Sequence, residues 1–371
     1  MTARAVSVIS SSVGRSAAGG LLRALLTGDK RSEGPEQRKI HWLKQCFSQE
    51  VSRLTVSYQD IRAAGRRVAG QVRPVALAPL EEGALGAARG WLALEFLQHT
   101  GSFKARGAFT FLRGHAEAGS LPEAGVVIAS GGNAGLACAW AAARHSVPAA
   151  VFVPETAPAV KVAKLRGLGA EVHQVGTEYA DALDASRKYA AETGALRSHA
   201  YDHPLIAAGA GTLMEEIHQR LPELDTVVVS VGGGGLFTGV AVSALEHGVG
   251  VVAVEPERCR ALNAALAAGE VVDVPVDSVA ADSLGARQAS AMALDWARKD
   301  GVRSVLVPDE AIVSARQALW DDRGLAVEHA AATALAAITS GAYTPRAGER
   351  IAVVLCGANT DPGDLARGAT R

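Results

Sequence analysis

Little in this chain marks it for a nucleic acid, a membrane or a metal. Phenylalanine, tryptophan and tyrosine together make up only 5% of the 371 residues, which is poor material for platforms on which bases stack. Neither charge sign is in excess: 37 Lys and Arg face 38 Asp and Glu, for a net charge of −1. Affinity for a polyanion comes from neutralising phosphates, so nucleic acid is not an expected partner. No apolar run approaches the roughly 20 residues of a membrane-spanning helix. The most apolar stretches are broken by glycine or bounded by charges. The four cysteines, Cys46, Cys138, Cys259 and Cys356, lie far apart, with no pair at metal-ligand spacing. Free thiols in a reducing, cytoplasmic compartment are expected, and no metal site.

What remains is ordinary globular material, 49% apolar and 20% charged, and long enough for two or three domains. Residues 1–55 differ from the rest. They hold nine Lys/Arg against four Asp/Glu, an excess of five, and no acid precedes Asp29. A disordered extension or a start placed too early is the preferred reading, over an organellar transit peptide. Folded structure is expected from about Val56, with Ser57 capping a helix that runs to Val68. Further on, apolar runs alternate with alanine-rich segments. Val126–Ala129, Ala149–Val153, Glu171–Val175, Thr226–Val231, Gly250–Glu255 and Arg350–Leu355 read as strands. Leu136–Arg144, Ala159–Leu168 and Leu236–Glu246 read as helices. Continuous Val/Ile/Leu strands separated by helices predict an α/β architecture of open, twisted, mostly parallel sheets with helices on both faces.

Three segments could carry chemistry. Gly101-Ser102-Phe103-Lys104-Ala105-Arg106-Gly107-Ala108 sets one lysine among small residues. A lysine that forms a Schiff base needs a poorly solvated, lowered-pKa amine, although this segment alone favours a surface lysine. Ser130-Gly131-Gly132-Asn133-Ala134-Gly135 follows a strand and opens a helix, where unsatisfied N–H groups attract a carboxylate or phosphate. A plain tight turn explains it equally well. Gly232-Gly233-Gly234-Gly235-Leu236 is the stronger signal. Consecutive glycines weaken local structure, so a tetraglycine turn between strand and helix points to a nest for a phosphate. No Lys-Ser/Thr follows it, and its spacing is not that of a dinucleotide fingerprint.

Together with Gly209–Thr212, Ala281-Asp282-Ser283-Leu284-Gly285 and Cys356-Gly357-Ala358-Asn359, these segments resemble the fold type II (tryptophan synthase β-like) pyridoxal-phosphate enzymes. Within that group the resemblance is to the serine/threonine dehydratase (ammonia-lyase) branch, over about residues 56–362. It implies pyridoxal 5′-phosphate as cofactor and α,β-elimination from a β-hydroxy amino acid such as serine or threonine, giving a 2-oxo acid and ammonia. Lys104 would hold the cofactor as a Schiff base and shuttle the α-proton. Phe103 would pack on the ring, and Asn133 would hydrogen-bond its hydroxyl. Cys356 would face the pyridine nitrogen. Gly232, Gly233, Gly234, Gly235 and Leu236 would hold the phosphate, and Ser130, Gly131, Gly132 and Ala134 the substrate carboxylate. The resemblance also implies a large domain (56–97 and 200–362) with a small one (98–199) inserted in it, a tail over 363–371, and a homodimer.

Departures from the pattern shape these expectations. Gly131 stands where similar serine racemases carry a second serine, which disfavours racemisation. Ser283 stands where the dehydratases often have glycine, leaving its contacts open. Glu216 matches a metal-binding carboxylate of some relatives, but Arg220 and Pro222 replace further ligands, so an ordinary helix-surface glutamate is expected. The chain ends soon after Asn359, so feedback through a C-terminal regulatory domain is not expected. Ala105 follows the lysine where β-replacement enzymes (cysteine-synthase- or threonine-synthase-like) carry an acid or asparagine. Those activities are the runner-up, and a non-catalytic amino-acid-binding relative comes third.

Overall fold

The computed structural model describes residues 55–368. The expected extension over 1–55 lies outside the described residues but for its last position. Ten strands are present in this range: β1 Leu77–Pro79, β2 Arg89–Ala93, β3 Val126–Ala129, β4 Ala149–Val153, β5 Glu171–Gln174, β6 Leu196–Arg197, β7 Thr226–Ser230, β8 Gly250–Pro256, β9 Val302–Val307 and β10 Arg350–Val354. They form two sheets. The larger has the order β1-β2-β10-β7-β8-β9 and the smaller β5-β4-β3-β6. Every ladder is parallel except β1–β2. All residues of β3, β4 and β7 are buried, as helices packed on both faces require. The α/β expectation is met, and the strands read from apolar runs agree within a residue at each end.

Local signals act where they were expected. Ser57 and Asp60 form a reciprocal capping box that starts the helix Tyr58–Val68. Its Ile61, Ala64 and Val68 recur at helical spacing and are buried, so one stripe faces the core. Strands β1, β2, β6 and β9 escape a reading of apolar runs. β6 has two residues, β2 holds an arginine and a glycine, and β9 is a partly exposed edge strand containing Arg303 and Ser304. The segment after residue 362, expected as a tail, forms a helix, Gly363–Gly368. Leu365 buries its side chain there, and Arg316 pairs with Asp364.

The Gly209–Thr212 motif is a packing device. It lies in the helix Pro204–Arg220, between the helices Lys104–Glu117 and Gly235–Glu246. A Cβ on Gly209 would sit 2.6 Å from Arg106 O, and one on Gly211 2.6 Å from Gly239 O. On Gly239 it would collide with Ala207 O and Gly211 N. Backbone cannot yield as a side-chain tip can, so Gly239→Ala is expected to destabilise the fold by about 1–3 kcal/mol. A urea midpoint equal to that of the wild type would show slack between these helices and refute the expectation.

Candidate active site

Parallel sheets collect ligands at the carboxyl ends of their strands, and both sheets here deliver their strand ends to one cleft. β3 runs into Ser130–Gly132, β7 into Val231–Gly234, and β10 into Leu355–Cys356. The cleft encloses about 860 Å³. Every site residue expected from the sequence lines it: Phe103, Lys104, Ser130, Gly131, Gly132, Asn133, Ala134, Gly232 to Gly235, Leu236 and Cys356.

Lys104 is held at the first turn of its helix by a clamp on β10. Phe103 N donates to Cys356 O at 3.0 Å, and Ser102 forms a bridge with Gly357. The amine donates to Ala200 O at 2.7 Å and lies 4.9 Å from the centre of the Phe103 ring. Lys104 keeps some surface because it lines the cleft, but protein packs densely around the amine. This desolvation lowers its pKa to about 8, against the opposing pull of the Glu328 carboxylate. At neutral pH an appreciable fraction is thus the neutral amine.

Two helix N-termini open on the cleft. The helix Asn133–Arg144 follows Ser130–Gly132, and Gly235–Glu246 follows Gly232–Gly234. Each supplies unpaired N–H groups and the positive end of a helix dipole. The tetraglycine turn has no room for side chains. Gly234 sits at φ 96°, a Cβ on Gly235 would be 2.8 Å from Tyr201 O, and one on Gly232 3.0 Å from Leu284 Cα. Tyr201 covers Gly233 with its ring and donates from its hydroxyl to Gln288 O at 3.2 Å. Deeper in, Cys356 Sγ lies 3.5 Å from Ser230 Oγ. Burial, reinforced by the nearby Glu328 carboxylate, pushes the thiol up to about 12, so it stays neutral.

Arg106, two residues after the lysine, is fully buried. It pairs with Glu95 at 2.7 Å and with Glu216 at 2.6 Å. The two carboxylates outweigh the effect of burial and keep the guanidinium charged. This corrects the expectation for Glu216 in part: it is partly exposed but no ordinary helix-surface glutamate, because its oxygens hold Arg106 and the Val75 N–H. Arg106→Met would leave Glu95 as a buried, uncompensated carboxylate and is expected to cost about 3–5 kcal/mol at pH 8. Protonating Glu95 relieves that cost, so the deficit should shrink towards pH 5. Urea unfolding at both pH values checks this, and a deficit independent of pH would sink it.

Sequence reasoning missed Glu328 and Tyr201. Glu328 precedes the alanine-rich helix His329–Thr339 and reads as a helix-start acid, yet it is only 5% exposed and accepts hydrogen bonds from Asn133, Ser283 and Asn359. Tyr201 sits in a loop with no pattern to mark it.

The residues present fit pyridoxal phosphate: a desolvated lysine amine, a side-chain-free cradle at a helix N-terminus, and a neutral thiol on the cleft floor. Fold and site thus define a fold type II enzyme that uses pyridoxal phosphate. The chain belongs to the family described as pyridoxal-phosphate dependent enzyme, whose pattern matches residues 68–357. It is 36% identical over 282 residues to the serine dehydratase-like protein of Homo sapiens, covering 72% of this chain and 84% of that one. It is 37% identical over 276 residues to the phenylserine dehydratase of Ralstonia pickettii, covering 74% and 84%. Among solved structures, maize serine racemase superposes with a TM-score of 0.79 at 28% identity, over 85% of this chain and 97% of that one.

Proposed function

We propose that the protein is an ammonia-lyase that eliminates the hydroxyl group of a β-hydroxy amino acid, with serine and threonine as the first candidates, to give a 2-oxo acid and ammonia. The reading rests on one arrangement: a desolvated Lys104 amine in a cleft onto which two helix N-termini open. Bound pyridoxal phosphate supplies the electron sink that stabilises negative charge at the substrate α-carbon. The protein supplies the rest. The Gly232–Leu236 turn would hold the cofactor phosphate, and Phe103 and Asn133 would hold its ring. Ser130, Gly131, Gly132 and Ala134 would hold the substrate carboxylate through the N-terminus of the Asn133 helix. Lys104, with its pKa near 8, is suited to take the α-proton. The neutral Cys356 thiol would leave the pyridine nitrogen without a charged partner. That weakens the sink and favours loss of hydroxide close in time to proton removal.

Gly131 offers no acid for the opposite face. Its Cα faces Val153, whose Cγ1 would lie 3.2 Å from an added Cβ, which supports elimination over racemisation. The division into a large and an inserted small domain is proposed from the two sheets. The three described cysteines are buried free thiols, which supports a reducing, cytoplasmic setting. A homodimer is proposed on the family resemblance. The deciding experiment measures ammonia released from serine, threonine, phenylserine and 3-hydroxyaspartate, beside cysteine formation from O-acetylserine and sulfide. Faster cysteine formation than release from every β-hydroxy amino acid would overturn the proposal.

A further inference from the structure

Glu328 joins segments that lie far apart in the chain. Its carboxylate accepts from Asn133 Nδ2 at 2.9 and 3.0 Å, from Ser283 Oγ at 2.6 Å and from Asn359 N at 2.7 Å. An ionised carboxylate only accepts, so it fixes which end of the Asn133 amide faces it. The other end, Oδ1, accepts from Asn359 Nδ2 at 2.7 Å, and that nitrogen also donates to Thr100 O at 2.6 Å. Asn133 is therefore locked at both ends of its amide. The nitrogen that would meet the cofactor's ring hydroxyl is the one Glu328 holds.

Glu328 is itself placed by its donors. Asn359 N is backbone, and Asn133 is the group being oriented. Ser283 is the independent side-chain anchor, and it comes from the cleft wall formed by the short helix Ala281–Leu284. That helix is tied on its other side by Asp282 to Lys161, at 2.6 Å across the cleft lining. The Lys161–Asp282 pair is largely exposed and contributes little. The Ser283–Glu328 bond is short, charge-assisted and shielded, which makes it the stronger of the two. Ser283 is also this chain's departure from the glycine frequent at the matching place in the dehydratases it resembles. With glycine there, Glu328 has no hydroxyl donor and more rotational freedom.

We propose that Ser283 is a positioning residue of this enzyme. It acts through Glu328, whose carboxylate it fixes, and so sets the Asn133 amide for the pyridoxal-phosphate ring. The inference rests on the proposed cofactor role of Asn133. Its test titrates apo-protein with pyridoxal phosphate and records the dissociation constant, the absorbance maximum of the bound cofactor and the melting midpoint, alongside kcat. Ser283→Ala should raise the dissociation constant about three- to tenfold, shift the absorbance maximum and leave the melting midpoint in place. Ser283→Thr keeps the hydroxyl and should restore both cofactor readouts to within about twofold of the wild type. Glu328→Gln should have at least the effect of Ser283→Ala, and the double variant should be no worse than Glu328→Gln alone.

Wild-type-like affinity and absorbance for Ser283→Ala would overturn the proposal. So would full additivity in the double variant, because Ser283 would then not act through Glu328. Failure of the ammonia-lyase reading is separable. Wild type that releases no ammonia would refute that reading, while the cofactor titration would still decide the role of Ser283.

Discussion

Lys104→Ala is expected to abolish the visible absorbance of lysine-bound cofactor and to lower ammonia release by about a thousandfold or more. Two losses combine. The proposed covalent anchor would disappear, and so would the proposed base for the α-proton. Because both belong to one amine, the effect should appear in kcat at saturating cofactor and not only in cofactor affinity. A companion experiment reads the amine directly. Only a neutral amine attacks the cofactor aldehyde, and Lys104 has a pKa lowered to about 8 by desolvation. The rate at which apo-protein captures pyridoxal phosphate should thus rise with pH and level off above about 8.

The stability consequence has a definite sign. A lysine whose pKa is lower in the folded state than in the unfolded state weakens folding while it is charged, and stability rises with pH wherever the unfolded chain binds more protons. For the apo-protein, that weakening is full below about pH 8 and is relieved between there and the ordinary lysine value near 10.5. Retention of the lysine-bound absorbance in Lys104→Ala would remove the basis of the mechanism. A capture rate still rising steeply above pH 9 would show instead that the amine is solvated.

Gly234→Ala is expected to damage cofactor binding nearly as much, for a different reason. Gly234 sits at φ 96°, in backbone space that side chains avoid, and its Cβ would collide with the Ala293 methyl. The strain costs about 1–3 kcal/mol, and relief by moving the turn displaces the N–H groups of the cradle. Affinity for pyridoxal phosphate should fall at least about tenfold, the equivalent of about 1.4 kcal/mol, with a smaller loss for pyridoxal, which lacks the phosphate. Comparing the two ligands separates a damaged cradle from general destabilisation. An equal loss for both would mean that this turn does not read the phosphate.

Much of this site was legible in the chain, because its chemistry depends on backbone. A tetraglycine turn and a Ser-Gly-Gly-Asn turn announce themselves through residue types that change what the main chain can do, and each stands at a strand-to-helix junction. Lys104 was legible only in the company of these turns, since a lysine beside glycine is ordinarily solvent-facing. Glu328 and Tyr201 were not legible. A glutamate before an alanine-rich helix satisfies helix-start rules whether it faces water or a cleft, and Tyr201 depends on a loop path that no periodicity encodes. Glu216 was misread for the same reason: Arg106, 110 residues earlier in the chain, decides its environment.

The sequence alone determined the alternation of buried strands and helices, the cap at Ser57 and the two glycine-rich strand-to-helix turns, because these follow from residue types over a few neighbouring positions. The tertiary structure alone decided that β10, at the end of the chain, inserts between β2 and β7 and carries Cys356 to Phe103 and Ser230. It also decided that a lysine with ordinary neighbours becomes desolvated, and that Glu328 finds its donors on three separate segments. Burial and hydrogen-bond partners arise from residues hundreds of positions apart, and the free energy that sets them exists only once both sheets are packed.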